Sequence, residues 1–94
     1  PFWSVALMPG QARADMMFAE KRYFFRLTRA QQAMNRSEIW LIRAAARPTG
    51  EMSLIVRYET CSDGMSDNRY PYSAIALISG LDMVAGCCRP ATPR

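Results

Sequence analysis

An all-β domain, built as a small antiparallel β-barrel or strongly curled sheet of six to eight strands, is predicted by three observations. Turn signals punctuate the chain at intervals of about 10 residues, a spacing that suits short strands. Apolar residues alternate with polar ones at period two, most clearly over Glu51–Glu59, where Met52, Leu54, Val56 and Tyr58 fall on one side. No stretch reads as a βαβ crossover, so the strands pair antiparallel, and a sheet this small hides its edges by curling or closing. The 94 residues make a single domain, 1–94, without repeat or linker. At this length folding buries only about 60 to 65% of the surface that the unfolded chain exposes, so a cross-link would matter.

Each element follows in order. Phe2–Met8 reads as a strand with an aromatic start that plugs one end of the core, and Pro9-Gly10 turns it. A second apolar stretch covers Ala14–Phe18. The charged Glu20-Lys21-Arg22 leads into the aromatic strand Tyr23–Leu27. Ala, Gln and Arg dominate from Thr28 to Arg36, and their propensities predict a loop or a short helical turn. Ser37–Ala46 alternates around Ile39-Trp40-Leu41-Ile42 and is expected as a strand, with helix competing because of Ala44-Ala45-Ala46. Arg47–Gly50 is a turn before Glu51–Glu59. Tyr72–Ile78 and Leu81–Cys87 are the last strands, joined at Ser79-Gly80, where glycine supplies a positive φ.

Composition excludes several classes. Half the residues are apolar and 21% are charged, which is globular and not the signature of disorder. No apolar run approaches the roughly 18 residues of a membrane-spanning helix, and the N-terminus lacks the pattern of a signal peptide. The net charge of +4 rests on eleven arginines and the single Lys21. The arginines are scattered along the chain with no nucleic-acid motif, so nucleic acid is not an expected partner. A mild attraction to an anionic partner or envelope polymer is the inference that the charge permits.

Chemistry is constrained further by the absence of histidine, which removes Ser-His and Cys-His dyads. Lys21, between Glu20 and Arg22, lacks the burial that would make it a base. The chain therefore reads as a non-enzyme, with no catalytic residue, cofactor or metal site expected. Asp63 and Asp67 could bind a cation or act as an acid/base pair, but their spacing does not match a calcium loop, and Asx turns account for them better. Trp3 and Trp40 could line a ligand cavity, although in a barrel of this size such residues belong to the core. The seven methionines, Met16-Met17 and Met65 among them, lack the spacing of a copper array and read as gap-filling and surface residues. Three cysteines predict one pair and one leftover thiol. Because neighbours on a strand face opposite ways, only one of Cys87 and Cys88 can meet Cys61.

Pro1-Phe2-Trp3, then Cys61-Ser62-Asp63-Gly64-Met65-Ser66-Asp67, then Gly86-Cys87 occur in that order. In these motifs the chain resembles a family of uncharacterised bacterial cell-envelope proteins and predicted lipoproteins. The resemblance implies a Cys61–Cys87 disulfide, with Cys88 as the odd thiol, and a periplasmic or outer-membrane-associated location. It also implies truncation at the N-terminus, where an export signal or lipid-attachment cysteine would stand, so that membrane association would come only through that missing anchor. The expected function is a non-enzymatic envelope binding module whose loop carries Asp63, Met65, Asp67, Arg69 and Tyr70 toward an unknown envelope protein or polymer. Small envelope barrels of this kind include inhibitors of wall hydrolases such as lysozyme. The alternative is a carrier of a small ligand or metal in the barrel interior, and the oligomeric state is left open.

Overall fold

Period-two alternation governs the fold found in the computed structural model, which describes residues 2–62, 64 and 68–90. Among these residues seven strands follow one another: β1 (Trp3–Met8), β2 (Gln11–Met16), β3 (Lys21–Gln32), β4 (Ile39–Ala45), β5 (Glu51–Ser62), β6 (Arg69–Ile78) and β7 (Val84–Cys88). A single 3-10 turn, Met17–Ala19, lies between β2 and β3. Each strand pairs antiparallel with the next in chain order, giving a meander that curls into a nearly closed barrel. The tight connections place glycine where the backbone needs positive φ, at Gly10 (77°) and Gly80 (81°).

One face of every strand points inward. Ala12, Ala14 and Met16 of β2 meet Phe25 of β3, Ala44 of β4, Met52 and Leu54 of β5, Ala74, Ala76 and Ile78 of β6, and Val84 of β7. Small alanines opposite large Met, Phe and Leu let the narrow interior fill with its own side chains. No polar or charged residue is buried among the described residues. Loss of water from this apolar surface is the principal force that holds the sheet curled.

Seven is an odd number, so β1 and β7 run in the same direction; they stand at opposite ends of the strand order and are not paired along a ladder among the described residues. Trp3 spans the seam between them. Its indole Nε1 donates to the carbonyl of Ala85 at 3.1 Å. Its ring lies so close to Gly86 that a Cβ there would sit 2.9 Å from Cζ2, a distance real contacts do not reach. Gly86 is therefore required by packing, not by backbone conformation.

Several expectations need correction. Thr28–Gln32 belongs to β3, because β4 offers a pairing template that overrides its helical propensity. The second strand starts at Gln11 and ends at Met16, and the apolar Met17 and Phe18 form the exposed 3-10 turn. Leu81–Met83 belong to the connection that precedes β7. Trp3 plugs the core as expected, whereas Phe2 is exposed and packs edge-on against Phe18.

A stapled hairpin end as the candidate functional site

The β5–β6 hairpin is the longest pair in the sheet and carries the candidate loop at its far end. Between Tyr58 and Cys61 the register slips by a bulge, which interrupts the alternation of β5. Beyond the bulge Cys61 is bonded to Cys87, with Cα atoms 5.6 Å apart. This disulfide skips over β6 and ties the end of β5 to the last strand. It is the pairing that the resemblance implies. Cys88 is left as a free, half-buried thiol packed against the core, where burial pushes its pKa above the ordinary value.

The residues flanking the loop are anchored on both sides of the staple. Arg69 opens β6 and is exposed, while Tyr70 is half-buried, pairs with Cys61, and has the Arg89 guanidinium 6.0 Å from its ring centroid. Ser62 Oγ accepts a hydrogen bond from the Gly64 amide at 3.4 Å. Asp63, Met65 and Asp67 lie outside the described residues.

Below the staple, three aromatic side chains meet on adjacent strands. Tyr72 lies 6.2 Å from Trp40 in an edge-on arrangement and 5.3 Å from Tyr58. Tyr58 is exposed, whereas Trp40 and Tyr72 are half-buried. Sequence reasoning weighs Trp3 and Trp40 together as a cavity lining and favours the core for both. In the fold Trp3 belongs to the β1–β7 seam, and Trp40 belongs to this aromatic group. The even spacing of Tyr58 with Val56 and of Tyr72 with Ala74 carried the signal for the cluster, because both continue inward-facing alternation.

On the outer wall, Ser73 Oγ donates to Glu59 at 2.7 Å, and Arg57 lies 3.9 Å from the same carboxylate. These residues border an open hollow of about 200 Å³ with Ile39, Ile55 and Ile75. A larger open hollow of about 480 Å³ runs beside Ser4, Asp15, Met17 and Lys21. Met16 and Met17, adjacent in sequence, separate completely, one into the core and the other onto the surface. Among the described residues no group of three or more Cys, Asp or Glu is placed to hold a metal ion. Compared with protein-family models, curated proteins and solved structures, the chain matches none.

Proposed function

We propose that this domain is a non-enzymatic binding module of the bacterial cell envelope, periplasmic or lipid-anchored, which presents the 61–72 loop to an envelope protein or polymer. The observation that supports this reading is the Cys61–Cys87 bond at the base of the loop. A cross-link at that place fixes the β5 end of the loop to β7, and recognition residues commonly stand on loops carried by a rigid scaffold. A disulfide also suits an oxidising compartment. Inhibition of a wall hydrolase such as lysozyme, by insertion of the loop into the catalytic cleft, is the narrower form of the proposal.

The alternative of a carrier draws no support from the interior, which is occupied by Met16, Met52, Phe25 and their neighbours. Both hollows open on the outside instead.

The test combines capture from a periplasmic extract with an assay of lysozyme inhibition. Asp67→Ala and Arg69→Ala are expected to abolish capture while the melting curve stays unchanged. Unchanged capture by both variants would remove the loop from the binding face. Thiol counting on protein taken from its native cell supplies the address: one free thiol fits the envelope, and three free thiols would overturn it.

A further inference from the structure

The arginines that look scattered along the chain gather on one wall. On β3 the inward residues Tyr23, Phe25 and Leu27 leave Arg22, Phe24 and Arg26 facing out. Continued alternation would then turn Arg29 toward the core. A bulge at Thr28 prevents this, because Leu27 pairs with Ala44 and Arg29 pairs with Arg43, with Thr28 unmatched between them. Arg29 thereby joins Arg26 on the outer face and stands directly opposite Arg43. On the other side of β3, Arg13 of β2 is paired with Phe24.

Two features of this wall need an explanation. Like charges directly opposite each other on neighbouring strands destabilise a sheet, and Arg29 and Arg43 are such a pair. No described carboxylate pairs with Arg26, Arg29 or Arg43; the one acid on this wall, Asp15, engages Arg13 and Arg22. Five arginines and one aspartate give this wall the whole net charge of +4, since the other seven basic and seven acidic residues of the chain cancel. The second feature is Phe24, 64% exposed in the middle of the arginines although the core is apolar and within reach of its neighbours.

We infer that the outer wall of β2–β3–β4 is a binding surface for an anionic lipid membrane. Guanidinium groups bind phosphate oxygens bidentately, and a phosphate between Arg29 and Arg43 would convert their repulsion into attraction. Phe24 supplies an apolar wedge at the level where headgroups meet acyl chains. The shape of the wall favours a surface over a polymer strand. The arginines follow the length of β3 on the convex outside of the barrel, so they meet a plane along a line. Single-stranded nucleic acid is bound in grooves with successive stacking aromatics, whereas here one phenylalanine stands on a convex wall. The disulfide also fits a compartment in which lipid phosphate, and not nucleic acid, is the abundant anion.

The inference does not depend on the loop proposed above as a binding site. Its test is cosedimentation of the intact domain with vesicles of phosphatidylglycerol mixed into phosphatidylcholine, against phosphatidylcholine alone, at low and high salt. The wild type is expected to bind only the anionic vesicles, and to be released by salt. The triple variant R26Q/R29Q/R43Q should partition about a hundredfold more weakly, since each basic residue near an anionic surface contributes about a factor of five. Its melting temperature should be equal to or above that of the wild type, because the variant removes a repulsion without breaking an ion pair. F24A should weaken partition several-fold with its salt dependence intact. Equal binding to neutral vesicles, retention by a correctly folded triple variant, or displacement from vesicles by a single-stranded oligonucleotide would each overturn the inference.

Discussion

The two edge strands of the sheet are secured in different ways. β7 is bonded covalently through Cys87 to the end of β5, two strands away, and hydrogen-bonded to β6 along its length. β1 is paired through its backbone with β2, and among the described residues its hydrogen bond to β7 is that of one indole, to Ala85, beside the contact of that ring with Gly86. At one edge the order comes from chain restriction in the unfolded state; at the other it comes from packing in the folded one. A disulfide acts whether or not the seam is closed, whereas the indole acts only when it is. The β1 side is accordingly where local opening should begin.

The largest effect is expected from Trp3→Ala, which removes a buried aromatic and the only described hydrogen bond across the seam; a loss of about 3–5 kcal/mol, read by urea denaturation, is the expected size for such a truncation. A loss below about 1 kcal/mol would show that the seam is not held by the indole. Next comes the paired change Cys61→Ser and Cys87→Ser. Closing a 26-residue separation is worth about 3.5 kcal/mol by chain entropy, and reduction of the wild type should reproduce the loss. Hydrogen exchange sharpens the contrast: the disulfide variant should exchange faster throughout, and the tryptophan variant first along β1. A smaller effect, about 1–3 kcal/mol, is expected from Gly86→Ala, because the new methyl must displace the indole ring. If Gly86→Ala and Trp3→Ala cost the same together as Trp3→Ala alone, the clash is with the indole and nothing else.

Cys88 gives the smallest effect. Its pKa is raised by burial, so the folded state holds the thiol proton more tightly than the unfolded chain does. The resulting stability is complete below the unfolded value, near 9.0, and is lost as pH rises through the folded one. Alkaline melting should therefore fall more steeply in the wild type than in Cys88→Ala. Alkylation of Cys88 should be slow at neutral pH and accelerate on unfolding in urea.

Most strands could be read from the sequence because their inward residues are apolar and evenly spaced, as at Met52, Leu54 and Val56. Thr28–Gln32 could not, since this end of β3 is exposed and buries nothing that would mark a face. Leu81–Met83 misleads in the opposite direction: Leu81 and Met83 fit the alternation of a strand, but the segment forms the connection ahead of Val84. The cysteine pairing was legible through a resemblance between motifs, and alternation alone left Cys87 and Cys88 equivalent. The aromatic group of Trp40, Tyr58 and Tyr72 required knowledge of which strands are neighbours. The arginine wall required more, namely the register of three strands and the position of a bulge. Its one local clue was Arg22-Tyr23-Phe24-Phe25-Arg26, where three successive aromatics must alternate and the middle one is left outside with the charges.

Thr28 gives the bulge a consequence for tolerance to insertion and deletion. Excising this one residue would leave the net charge as it is and restore a regular ladder, with Leu27 still opposite Ala44, Arg29 still opposite Arg43 and every side chain of β3 on its present side. A regular ladder that retained Thr28 would instead set Arg29 opposite Ile42, strand an ionised group against the core and turn Ala30 outside. The chain can therefore exchange or lose Thr28, but it cannot take it into the ladder. The electrical asymmetry of the barrel thus depends on the residue between Leu27 and Arg29 standing outside the ladder, whatever its side chain.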